Sequence, residues 1–197
     1  MSDRRQPIAT SSQTVGPFFH FGLTSNERLG QIAPPGTPGD HIELRILVLD
    51  GEGAPVPDAI VEIYQADAKG QYPDSTRPPA PSPVSRAPAV FTGFGRLPTG
   101  ADGWCVFQTI TPGVVRAGDV EQARHFNVCL LSRGLLRQIY TRIYFQGDPG
   151  LAADPILGLV PAERRQTLLA HPTSDTPAMW EFVIRLQGDG ETVFFDL

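Results

Sequence analysis

The chain predicts an all-β fold: an antiparallel β-sandwich with long loops and one short helix. Short runs alternate apolar with polar residues and favour Val, Ile, Phe and Tyr, which suit a pleated, half-buried surface. Glycine and proline number 20 each in 197 residues and cluster between those runs, where strands end and turns begin. Only Pro161–Ala170 reads as a helix, with Pro161 suited to the first turn and Leu168 and Leu169 able to pack inward. The length suits one domain, spanning 1–197 with an N-terminal arm at 1–23, and is enough to bury a core.

In chain order, Met1–Gln13 is polar, and Thr14–Phe21 then gathers Phe18, Phe19 and Phe21 beside a Gly-Pro turn. Such a segment cannot form a core alone, so it lies against the domain body or against another chain. His41–Asp50 alternates as a strand and ends in the turn Asp50-Gly51-Glu52-Gly53. Asp58–Tyr72 organises the rest. Ile60, Glu62 and Tyr64 alternate with Val61, Ile63 and Gln65 along a strand. Asp67, Lys69 and Gly70 then break it, leaving Tyr72 at a strand mouth where a small β-protein tends to hold a ligand. Pro73–Val90 is proline-rich and is barred from a sheet centre. Gly93–Leu97 and Trp104–Thr109 read as strands, and His125–Ser132 with Leu135–Phe145 as a hairpin turning at Arg133-Gly134. Met179–Leu186 and Thr192–Phe195 are the last strands.

The formal net charge is −5 with no Lys/Arg-rich block, which argues against nucleic acid or an anionic membrane as partner. Met1–Gln13 carries no leader-like apolar stretch and no run reaches membrane length, so a cytoplasmic location is expected. Cys105 and Cys129 lie inside apparent strands and read as buried, reduced thiols.

A hard metal ion would need oxygen and imidazole ligands, and the chain has four His and four Tyr to offer. His20, His41 and His171 stand at surface or capping positions, while Tyr64, Tyr140 and Tyr144 suit core packing with a hydrogen-bonded hydroxyl. Tyr72 and His125 remain, each at a strand edge. Two ligands fall short of a site. Asn127 shares a strand face with His125 but is a poor ligand, and Pro112-Gly113-Val114-Val115 offers none.

Several motifs resemble the intradiol ring-cleaving dioxygenases: Val56-Pro57-Asp58, Gly70-Gln71-Tyr72, Thr111-Pro112-Gly113 and Ala123-Arg124-His125-Phe126-Asn127. Others are similar to the alpha-type chains of that family's two-chain members: Ser12-Gln13-Thr14-Val15-Gly16-Pro17-Phe18, Leu131-Ser132-Arg133-Gly134 and Gly190–Leu197. The resemblance covers about Ser12 to Leu197. It implies a catalytic chain that holds non-haem Fe(III) with two Tyr and two His. Tyr72 and His125 match the first of each, whereas Val115 and Asn127 stand where the second of each belongs. The alpha-type resemblance therefore implies a chain with no iron, paired with a beta subunit that holds it. It also implies that Thr14, Gly16 and Pro17 wall a substrate pocket at the interface, and that Arg133 meets the carboxylate of 3,4-dihydroxybenzoate, which O2 cleaves between its hydroxyl-bearing carbons. A metal-free β-sandwich that binds or scaffolds without a catalytic partner is the alternative.

Overall fold

The computed structural model describes residues 9–73, 90–173 and 178–196. The excursion expected at Pro73–Val90 lies, apart from its ends, outside the described residues, as does much of the polar N-terminal stretch.

The alternating runs form the sheet. Strands β1 (His41–Leu49), β2 (Ile60–Gln65), β3 (Phe94–Pro98), β4 (Trp104–Ile110), β7 (His125–Leu131) and β10 (Met179–Arg185) fall where the sequence puts them. In contrast, β8 (Ile139–Phe145) starts four residues after Leu135, so a longer loop, Ser132–Gln138, replaces the tight hairpin turn expected at Arg133-Gly134. Alternate residues of β1 are buried, so one face of the strand meets the core. Three strands were not expected. They are β5 (Val115–Ala117) and β6 (Val120–Gln122), which make a two-stranded ribbon, and β9 (Leu169–Pro172). The helix expected at Pro161–Ala170 is instead a 3-10 segment, Ala162–Leu168, running straight into β9. The chain also has an α-helix α1 (Phe19–Leu23), an α-helix α2 (Pro155–Gly158) and further short 3-10 turns. The expected last strand at Thr192–Phe195 is reduced to a bridge between Phe195 and Tyr140.

The main sheet has eight strands in the order β3-β2-β7-β8-β9-β10-β1-β4. It is mixed: β1 pairs with β10 and β8 with β9 in parallel, and the other pairs are antiparallel. The four strands β3, β2, β7 and β8 form one layer and β10, β1 and β4 the other, with β9 joining them. The sheet thus curls into a sandwich whose end strands β3 and β4 approach each other. Between the layers Leu44, Ile46, Ile63, Phe107, Phe126, Leu130, Ile143, Phe182 and Ile184 are buried together. A second cluster of Tyr144, Leu157, Val160 and Leu168 closes one flank, with Val193 and Phe195 packed against it. The aromatic chain end therefore joins the body. The aromatic rings of the arm stay out of the core: α1 buries no residue, and Phe18 and Phe21 are 77% and 63% exposed. Cys105 is buried and Cys129 half-buried, and both are free thiols, with burial raising them to about 12 and about 11. Among the described residues no helix is long and apolar enough to cross a membrane.

Candidate functional site

Two backbone segments meet at the mouth of β2. Asp67 organises the first, accepting from the Lys69 and Gln71 amides at 2.8 and 2.9 Å through its side chain, and from Gly113 N–H at 2.8 Å through its carbonyl. Gly70 and Gly113 permit the approach. A Cβ on Gly70 would overlap the Val114 carbonyl, and one on Gly113 would overlap the backbone at Ala68–Gly70. Below them, buried Gln65 donates to the Ile110 carbonyl at 3.1 Å and accepts from the Thr109 hydroxyl, tying the end of β2 to that of β4. The same turn carries Tyr72 outward, next to the stretch that begins β5 at Val115.

Tyr72, His125 and Asn127 come together there. The Ala123 carbonyl can only accept, so His125 Nδ1–H donates to it at 2.7 Å and Nε2 keeps a lone pair. The Tyr72 hydroxyl donates to that Nε2 at 3.1 Å, and Asn127 Nδ2 donates to the Tyr72 oxygen at 2.8 Å. The result is a directed chain, Asn127 to Tyr72 to His125 to Ala123, in which each donor has an acceptor. Tyr64 stacks on Tyr72 with ring centroids 5.0 Å apart and is 39% exposed, so it flanks this cluster instead of filling the core. Tyr144 meets the sequence expectation: it is buried, and its hydroxyl donates to Asp154 at 3.0 Å.

Electrostatics hold the cluster neutral. Burial pushes the Tyr72 phenol above its ordinary value, partly offset by the Asn127 hydrogen bond. Burial, aided by the positive charge of Arg142, pushes the His125 imidazole down to about 4. Between about 6.5 and about 4 the unfolded chain binds a proton on His125 that the folded chain does not. Stability accordingly falls as pH drops through that window, and the loss is complete below the folded value. Thermal midpoints recorded from pH 7 to pH 4 should show this slope, and His125→Gln should remove that part of it.

These residues do not fit a four-ligand ferric site. Only Tyr72 and His125 offer ligand atoms: the Val115 side chain is aliphatic and buried, and Asn127 points an amide donor at the phenol. The nearby Arg142 charge also disfavours a cation. Among the described residues no group of three or more His, Cys, Asp or Glu is placed to hold a metal ion.

The other candidates sit elsewhere. Arg133 lies in the turn after β7, and Thr14 Oγ1 accepts from the Gly134 amide at 2.8 Å, which fastens the N-terminal arm to that turn. Gly16 and Pro17 follow on the same arm, exposed. Arg133 pairs with Asp58 at 3.1 Å. His125 begins β7, and six steps of about 3.3 Å place its other end roughly 20 Å away. Thr14 and Arg133 therefore share one end of the sandwich, remote from Tyr72 and His125. Of the remaining histidines, exposed His41 contacts the Thr37 carbonyl at 2.9 Å and exposed His171 contacts Gln146 at 2.7 Å.

Sequence reasoning missed Asp154, Asp58 and Arg142. Buried Asp154 caps α2 by accepting from Ile156 and Leu157, and also accepts from the Ala123 amide at 2.8 Å, which fixes the carbonyl that orients His125. The pair Asp154-Pro155, a capping side chain before a proline at the first helical position, is a signal that could have found it.

A sequence model of the family described as Dioxygenase matches residues 15–188. The protocatechuate 3,4-dioxygenase alpha chain of Burkholderia cepacia is 40% identical over 95% of this chain and 97% of its own. The beta chain of that enzyme from the same organism is 32% identical over 98% of this chain and 81% of its own. Among solved structures, the dioxygenase domain of a carbohydrate-binding fusion protein from Streptomyces sp. SirexAA-E matches with a TM-score of 0.60 at 25% identity, covering 81% of this chain and 87% of that one.

Proposed function

Since this chain belongs to the intradiol dioxygenase family, we propose that it is the alpha chain of a protocatechuate 3,4-dioxygenase, the non-iron-binding subunit of an alpha–beta assembly. One observation supports the division of labour above the others. Of the four ligand positions only Tyr72 and His125 carry a ligand side chain, Val115 and Asn127 supplying none, while Thr14 and Arg133 stand together at the far end of β7, unable to serve a pocket at Tyr72 and His125. Their use is at a site completed by another chain, and the beta-chain relative indicates which kind.

In this reading the beta chain would hold the Fe(III), which would supply the Lewis-acid chemistry for cleaving 3,4-dihydroxybenzoate with O2 to 3-carboxy-cis,cis-muconate. This chain supplies no ligand and takes no part in bond breaking. Arg133 presents a planar fork of donors to the ring carboxylate, a charge-assisted contact strengthened where the interface excludes water. Thr14, Gly16 and Pro17 wall the pocket and restrict the poses of the ring. The exposed Phe18 and Phe21 supply the apolar surface that an obligate interface buries. The assembly stays in the cytoplasm, where thiols such as Cys105 and Cys129 remain reduced. Tagging this chain and co-expressing it with an intradiol beta chain tests the pairing. Co-purification at equal stoichiometry is expected, and separate elution of the two chains would overturn it.

A further inference from the structure

Among the described residues Asp58 is the sole non-glycine with positive φ, at 61°. Left-handed backbone is strained for a residue with a Cβ, and such strain persists only where the surroundings enforce it. Here they do. The buried Thr99 hydroxyl donates to the Val56 carbonyl at 2.8 Å and accepts from the Ala59 amide at 3.0 Å. Thr99 N–H donates to the Ala59 carbonyl at 2.8 Å, and Asp58 N–H to the Thr99 carbonyl at 3.3 Å. The loop from Val56 to Ala59 is thus clamped from both sides. The Asp58 carboxylate stands on this rigid base and accepts from Arg133 Nη2 at 3.1 Å.

We propose that Asp58 is the positioning residue for Arg133, holding its guanidinium in the orientation that receives the substrate carboxylate; this rests on the alpha-chain reading above. A half-exposed arginine in a turn samples many rotamers, and fixing it before the substrate arrives lowers the ordering cost of binding. The contact uses one of the five guanidinium N–H groups, so the fork keeps donors for a second carboxylate. A second tie acts on the same turn, since the Gly134 amide donates to Thr14 at 2.8 Å. Asp58 and Thr14 would therefore act together, one orienting the charged group and the other docking the pocket wall beside it.

The test uses the alpha–beta complex and compares kcat/KM for 3,4-dihydroxybenzoate with that for catechol, which lacks the carboxylate. Asp58→Asn keeps a residue that tolerates left-handed backbone but removes the charge. Asp58→Gly removes the whole side chain and fits the same φ. Both should lower the preference for the carboxylated substrate about fivefold, the upper range for a partly exposed ion pair, with the change in KM more than in kcat. A purely structural role would lower both substrates together and leave the ratio unmoved, which overturns the proposal. A ratio that rises overturns it too, because Asp58 would then be competing with substrate for the guanidinium. Arg133→Ala is the control. If it shifts the ratio and the Asp58 variants do not, only the positioning role fails; if it also leaves the ratio unmoved, the carboxylate-recognition reading has failed.

Discussion

Arg133→Ala in the assembled enzyme raises the KM for 3,4-dihydroxybenzoate about thirtyfold, the equivalent of about 2 kcal/mol for a hydrogen bond to a charged group. The kcat changes far less, because the carboxylate lies away from the carbons that react and the contact is made equally before and during reaction. Arg133→Lys falls between, since it keeps a positive charge but loses the planar fork. The structure gives a reason to expect a clean effect. Arg133 is 53% exposed in this chain and its ion-pair partner among the described residues, Asp58, is 43% exposed, so removing it leaves no buried charge stranded there. Steady-state kinetics with 3,4-dihydroxybenzoate and catechol check this, and equal changes for both substrates would contradict it.

Val115→Tyr combined with Asn127→His moves the chain towards ferric binding, to about one iron per chain with visible ferric-phenolate absorption. The backbone is already arranged for it. Gly70 and Gly113 bring the segment with Tyr72 against the start of β5, where Val115 sits, and Asn127 Nδ2 is already 2.8 Å from the Tyr72 oxygen. The two changes raise the oxygen and imidazole donors from two to four, and metal coordination replaces the hydrogen bond that now joins Tyr72 to His125. Enlarging buried Val115 costs about 1–3 kcal/mol, so circular dichroism must first show that the variant folds. Metal analysis and the visible spectrum then decide, and a folded, colourless, iron-free double variant contradicts the account.

Residue types at fixed offsets carried the legible part of this chain. Seven strands followed from period-two alternation, and the missing ligands at Val115 and Asn127 from identity alone. What stayed hidden depended on partners distant in sequence. Leu168 and Leu169 satisfy a helical stripe and a strand equally. The second opens β9, whose first residues, Leu169 and Ala170, pair with β8 and whose last, His171 and Pro172, pair with β10. Side chains alternate in the same way in parallel and antiparallel strands, so nothing in β1 announced its parallel pairing with β10. The candidate site divided likewise. Tyr72 and His125 were visible as strand-edge residues, but the closed chain through Asn127 and Ala123 depends on side-chain placement. That Arg133 rests on Asp58, 75 positions earlier, had no local signal. The arm gave the least: three phenylalanines suit a core or an interface, and only the fold shows that α1 buries nothing within this chain.

Oxygen uptake with 3,4-dihydroxybenzoate, recorded with iron content for the chain alone and after co-expression with an intradiol beta chain, tests the central claim most directly. The account predicts an inactive, iron-free chain by itself and an active complex that contains iron once the beta chain is present. Iron and turnover in the isolated chain would contradict it, and so would a stable chain that stays inactive and unassociated beside a competent beta chain.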